Sequence, residues 1–223
     1  MAKKIFISPS NQTGNKYAYG NTNEAVQCGI IGDHLEAALK RCGFETKLEQ
    51  YDTMQNKAKH ADAWGADLYV PVHTNATVNH NAGGTQVYYY AENGYGNKAA
   101  KCVFDELKVV TPGKNAESCR KYAELYEVKT PKATTVYIEA EFHDVEEYAK
   151  WIVEHPAEIA EAICRGICTY YDVEYVVPEA KKPDSDWRYN IYFGFKNKEE
   201  AEKMLELIKA VGFADAYIRY EEV

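Results

Sequence analysis

The chain has 223 residues, enough for one well-buried domain or for one domain with a small appendage. Hydrophobic residues at 46% and charged residues at 27% leave little room for extended disorder. A net charge of -8 argues against a nucleic-acid partner, because phosphate-backbone binding is driven by clustered Lys and Arg.

The opening Met1-Ala2-Lys3-Lys4-Ile5-Phe6-Ile7 carries only a short alternating apolar run, too brief for a signal-peptide core or a membrane span. The expectation is a product synthesised in the cytoplasm without a signal peptide, with no membrane partner. Six cysteines (Cys28, Cys42, Cys102, Cys119, Cys164 and Cys168) contain no Cys-x-x-Cys pair, and most fall on apolar helical faces. They read as reduced thiols acting as small hydrophobes.

Residues 5–8 predict a first strand. A helix over 23–42 has an apolar stripe at Val26, Ile30, Leu35 and Leu39 and stops before Gly43. A second strand at 44–48 leads to a helix ending at Trp64, with Gly65 behind it. The apolar run Leu68-Tyr69-Val70-Pro71-Val72 leads into His73, and the Gly83-Gly84 turn precedes a strand at 85–90. A helix over 97–110, a strand over 135–138 ending at Glu139, and a helix over 156–171 with Pro156 in its first turn complete the alternation. The predicted fold class is α/β, a mostly parallel sheet with helices on both faces. Residues 1–175 form the main domain and 176–186, with two prolines and several charges, a linker; 187–223 form a small β-α-β unit with strands at 189–193 and 216–220 around a helix at 198–211. So short a unit must pack on the main domain or on another copy of itself.

Ligands in open α/β sheets bind beyond the carboxyl ends of the strands. Four polar residues fall there: Asn11 after the first strand, Glu24 at the start of the next helix, and His73 and Glu139 at two strand ends. A catalytic zinc takes about three protein ligands and keeps one position open. His73 and Glu24 are suitable ligand types, and Glu139, off the metal, suits a proton-transferring base. Each also has a plainer explanation: a hydrogen-bonded structural histidine, a carboxylate stabilised by a helix N-terminus, or a lysine-paired glutamate.

Two segments carry a family resemblance. Val72-His73-Thr74-Asn75-Ala76 with Gly83-Gly84-Thr85-Gln86-Val87-Tyr88-Tyr89 is one; Leu125-Tyr126-Glu127-Val128 with Thr135-Val136-Tyr137-Ile138-Glu139-Ala140-Glu141-Phe142-His143-Asp144 is the other. Over residues 4–173 the chain resembles the zinc-dependent N-acetylmuramoyl-L-alanine amidases of bacterial cell-wall enzymes and phage endolysins. The resemblance implies zinc on His73 and Glu24, Glu139 as the base, and peptidoglycan as the substrate, attacked at the amide between N-acetylmuramic acid and L-alanine after release onto the wall. One departure stands out: the family usually begins Asp-Pro-Gly-His, with that histidine a zinc ligand, and here the stretch is Ser8-Pro9-Ser10-Asn11. Asn11 is the expected third ligand, with Gln12 and His143 as competitors, and a catalytically impaired protein that binds peptidoglycan is the alternative. The terminal unit, with Tyr189-Asn190-Ile191-Tyr192-Phe193-Gly194-Phe195, resembles half of a sporulation-related repeat (SPOR) domain, which implies a homodimer completing one sheet.

Overall fold

The structure is a computed structural model that describes residues 2–178 and 198–210. The chain divides into two units, Met1–Pro178 and Glu179–Val223. In the second, a helix (Lys198–Ala210) is described; the two strands expected around it, and with them the proposed pairing of half-domains, lie outside the described residues.

The first unit alternates β1 (Lys4–Pro9), α1 (Glu24–Arg41), β2 (Glu45–Leu48), α2 (Met54–Trp64), β3 (Leu68–Asn75), β4 (Gln86–Tyr89), α3 (Tyr95–Val110), β5 (Ser118–Lys121), α4 (Tyr126–Lys129), β6 (Thr134–Thr135), β7 (Tyr137–Phe142), α5 (Glu146–Glu154) and α6 (Pro156–Tyr171). The strands form one sheet in the order β2-β1-β3-β7-β4-β5, with β6 continuing alongside β3. All pairings are parallel except β4 with β7. The mostly parallel sheet with helices on both faces is thus observed. β5, α4 and α5 have no counterpart in the sequence reading: β5 is a polar strand at the sheet edge, α4 is a single turn, and α5 buries only Ala149 and Ile152.

Alternation along the strands assigns the faces. Ile5, Ile7, Val70, Val72 and Ile138 point into the main core, closed by α1, α3, α5 and α6. On the other face Phe6 and Tyr69 meet Ala61 of α2, while Tyr88 and Tyr137 meet Val128 of α4. In α6 the isoleucines at 159, 163 and 167 are fully buried, and each contributes on the order of 1.5–3 kcal/mol of apolar transfer.

Two punctuation marks position the site. Asn23 is extended and its side chain accepts from the Val26 amide, so α1 starts at Glu24 with that carboxylate beside the sheet edge. At the Gly83-Gly84 turn, Gly84 has φ +120°, a conformation that suits glycine, and the buried Glu141 accepts from the amides of Gly84 and Gly113. Glu141 thereby ties the loop before β4 to β7.

Close packing of α3 on α6 depends on Gly166. A Cβ there would lie 2.5 Å from Val103 Cα and 2.8 Å from Cys102 O, both rigid backbone. Gly166→Ala should therefore cost about 1–3 kcal/mol in urea denaturation, whereas Gly14→Ala, with nothing within 4 Å of its added carbon, should shift stability by no more than about 1 kcal/mol.

Candidate active site

β3 and β7 lie side by side with His73 opposite Glu139, and Val72 opposite Ile138. Paired parallel strands sit about 4.8 Å apart. His73 and Glu139 therefore leave the same face as neighbours while Val72 and Ile138 enter the core. Both residues lie inside their strands rather than at the ends expected from sequence: β3 continues to Asn75 and β7 to Phe142, with a register shift between His73 and Asn75. Burial on both sides of β7 by β3 and β4 accounts for the longer strand, whose Tyr-Ile-Glu-Ala-Glu-Phe run alternates polar and apolar faces.

His73 is held on both ring nitrogens. Nδ1 is 2.9 Å from Glu24 Oε1, and Nε2 is 3.4 Å from Glu127 Oε2. The Tyr137 ring stacks on the imidazole at 4.7 Å with a 14° tilt. Burial pushes the His73 pKa down, but hydrogen bonds that the ring donates to Glu127 and Glu24 outweigh it and raise it to about 9. Glu24 is 1% exposed. Burial opposes its ionisation, yet His73, Asn15 and Ser10 hold it below the ordinary carboxylate range.

Glu127 is the residue that sequence reasoning missed. It sits in the quoted Leu125-Tyr126-Glu127-Val128 segment without a role, although a carboxylate inside so apolar a stretch was the available signal. Its Oε1 accepts from Ser8 Oγ at 2.9 Å and from the Tyr69 hydroxyl at 2.7 Å, and the buried Lys57 ammonium lies 3.8 Å away. Lys57 also donates to the Pro9 carbonyl at 3.2 Å. Against the cost of burial, His73, Lys57 and Tyr69 bring the Glu127 pKa to about 2, so it stays ionised.

Glu139 has the opposite character. It is half-buried, and its Oε2 is shielded from solvent with no hydrogen-bond partner. Burial is the main cause that raises its pKa, to about 7; His73 lowers it and Glu24 raises it further. A carboxylate near neutrality with a free oxygen suits proton transfer.

The three candidates for a further ligand fall in different places. Asn11 turns away: its side chain is exposed and donates to the Asp52 carbonyl at 2.8 Å. Gln12 turns inward, with Nε2 3.4 Å from His73 Nδ1 and 3.5 Å from Glu24 Oε1. Which amide atom faces the pair is a matter of a 180° flip. His143 is buried, stacked on Tyr17 at 4.9 Å, with Nδ1 2.9 Å from Thr74 Oγ1; burial lowers its pKa and keeps it neutral. It serves as a wall of the site through the Tyr17-Thr74-His143 chain. The structure thus gathers Glu24, His73, Glu139, Gln12 and Glu127, and leaves Asn11 outside.

The donor set suits a zinc-type ion: an imidazole Nδ1 and a carboxylate oxygen already 2.9 Å apart, an amide within reach of both, and a carboxylate on the far imidazole nitrogen. That last arrangement is the usual support for a metal-binding histidine.

An imidazole–carboxylate pair beside a carboxylate with an unpartnered oxygen is a set of groups able to hold a metal ion and move a proton. The chain belongs to the N-acetylmuramoyl-L-alanine amidase family, whose profile matches residues 5–169. Among solved structures, it is similar to the amidase AmiC2 of Nostoc punctiforme (TM-score 0.69, 23% identity, covering 76% of this chain and 97% of that one). It is also similar to the catalytic domain of CwlV from Bacillus (Paenibacillus) polymyxa var. colistinus (TM-score 0.69, 16% identity, 77% and 99% covered). The catalytic domain of the CD27L endolysin targeting Clostridia difficile is a third (TM-score 0.64, 22% identity, 75% and 97% covered). No curated protein sequence matches the chain. Among the described residues, no helix is long and apolar enough to cross a membrane.

In the metal-free chain, His73 should titrate near 9 by NMR, and Glu127→Gln should lower that midpoint. Because the folded value lies above the ordinary 6.5, the stabilisation that His73 provides is complete below 6.5 and is lost as pH rises through about 9. The same variant removes the counter-charge of buried Lys57 and should cost about 3 kcal/mol in denaturation. A midpoint at or below 6.5 in both proteins would rule out the two-carboxylate clamp.

Proposed function

We propose that the chain hydrolyses peptidoglycan at the amide joining the lactyl group of N-acetylmuramic acid to L-alanine, with Glu24, His73 and the Gln12 amide oxygen holding zinc and Glu139 acting as general base. The observation that carries this reading is the side-by-side placement of His73 and Glu139 on β3 and β7, with Glu24 on His73 Nδ1 and Glu139 Oε2 unpartnered.

Zinc bound by these residues would supply a Lewis acid that polarises the scissile carbonyl and acidifies water. With zinc bound, Nδ1 would give up the proton it now directs at Glu24, and Glu127 would hold the remaining proton on Nε2, fixing the tautomer. Glu139 takes a proton from the attacking water at Oε2 as the O–C bond forms. It returns that proton to the departing nitrogen as the C–N bond breaks, and the second proton of the water passes to the same amine, leaving the lactyl carboxylate of the muramic acid and the ammonium of L-alanine. In the metal-free chain burial raises the Glu139 carboxyl to about 7, above the ordinary carboxylate range.

Glu139→Gln should lower the release of L-alanine amino termini from purified peptidoglycan by about 10²–10⁴-fold while leaving zinc content unchanged. Unchanged release would overturn the assignment of the base. An amide oxygen is a weaker zinc donor than imidazole, and this one observation favours a second reading, a peptidoglycan-binding protein with an impaired centre. Gln12→His should separate the two: zinc affinity measured by chelator competition should rise at least about tenfold. If affinity does not change, Gln12 is not the third donor; a wild-type chain lacking both zinc and release activity establishes the impaired reading.

A further inference from the structure

Three cysteines far apart in sequence converge in the core, away from the amidase site. Cys42 caps the C-terminal end of α1, while Cys164 and Cys168 stand one turn apart on the same face of α6. Their exposures are 7%, 0% and 1%. Cys164 Sγ lies 3.7 Å from Cys42 Sγ and 4.0 Å from Cys168 Sγ, and all three sulfurs lie within 4.8 Å of one another. All three are free thiols, since a disulfide needs a separation of about 2.05 Å. The packing of α1 on α6 thus turns cysteines that read singly as small hydrophobes into a triangle of sulfur.

The size of that triangle is informative. An ion bonded to three sulfurs at about 2.3 Å in a plane sets them about 4 Å apart, close to the two separations above. Among the described residues no carboxylate or imidazole joins the group within the same distance, so the site offers sulfur alone. Soft thiolates select Cu(I), whereas carboxylate and amide donors such as Glu24 and Gln12 do not. Polar groups also meet the triangle. The Val176 amide donates to Cys42 Sγ at 3.4 Å, and the Arg41 guanidinium is fixed beside the group by the Val176 carbonyl at 2.8 Å and by Glu161 at 2.6 Å. Hydrogen bonding with Cys164 draws the Cys168 thiol below its ordinary value, whereas burial raises Cys42, and hydrogen bonding with Cys168 together with burial raises Cys164, so those two protons leave only as the metal binds.

We propose that Cys42, Cys164 and Cys168 form a three-coordinate, all-sulfur site for Cu(I) that ties the end of α1 to α6. Three S–H bonds give way to three S–Cu bonds, three protons pass to solvent, and no electron is transferred. The Glu24-His73 pair takes no part, so the site stands or falls independently of the amidase assignment.

The test uses the full chain, reduced and anaerobic, titrated with Cu(I) against a competing Cu(I) chelator. One Cu(I) per chain should bind, X-ray absorption at the copper edge should read three sulfur neighbours at about 2.3 Å, and the thermal midpoint should rise on binding. Cys42→Ala and Cys168→Ala should each weaken binding at least about tenfold. Cys102→Ser, outside the triangle, should not. Nitrogen or oxygen neighbours in the wild-type spectrum, failure to retain one equivalent, or wild-type affinity in either Cys42→Ala or Cys168→Ala would each overturn the proposal, and the wild-type spectrum decides even where a variant fails to fold.

Discussion

The pairing of β3 with β7 is the constraint on which the rest of the site depends. A parallel ladder fixes which residues are neighbours and which face each occupies, and a slip of one position would send His73 into the core and Ile138 into the site. The core prevents that slip. Val72, Ile138 and, on the helices, Leu35 and Leu39 of α1, Val103 and Leu107 of α3 and Ile163 and Ile167 of α6 are fully buried on the opposite face, so register and catalytic geometry are enforced by the same packing. The β-bulge beyond His73 then releases Asn75 toward Gln86 and Phe142.

Charge sets the second constraint. Behind the sheet edge the chain buries Glu24, Glu127, His73 and Lys57, and a buried ion without a partner costs several kcal/mol. These four compensate one another: two carboxylates held ionised by an imidazolium and an ammonium. Glu139 is the fifth group and has no such partner at Oε2, which is why burial raises its pKa toward neutrality while that of Glu127 falls. A divalent cation in place of the His73 proton would preserve the compensation, since it brings positive charge to the same pair of carboxylates. Ser8 stands where the family usually has Asp, and the carboxylate meeting Ser8 here is Glu127, brought from a different part of the chain.

Much of this was legible in sequence for local reasons. The Gly43 and Gly65 stops and the Pro156 start are determined by backbone chemistry that acts over a few residues. The strands came through because apolar runs between turn residues have few other conformations open to them. What did not come through was short, polar or cooperative: the single turn α4, the edge strand β5, and the extension of β7 through Glu139, which requires partners on both sides.

Residue type and local spacing were enough for the α/β alternation, for His73 and Glu139 at the ends of apolar strand runs and Glu24 at a helix start, and for the missing histidine in the first loop. Only the tertiary structure decided that Gln12 and not Asn11 faces the pair, that Glu127 and Lys57 close a buried charge network behind His73, and that three cysteines meet. Loop direction and long-range contact arise from how helices and strands pack, and the separations involved, 54 residues between His73 and Glu127 and 122 between Cys42 and Cys164, lie beyond any local pattern.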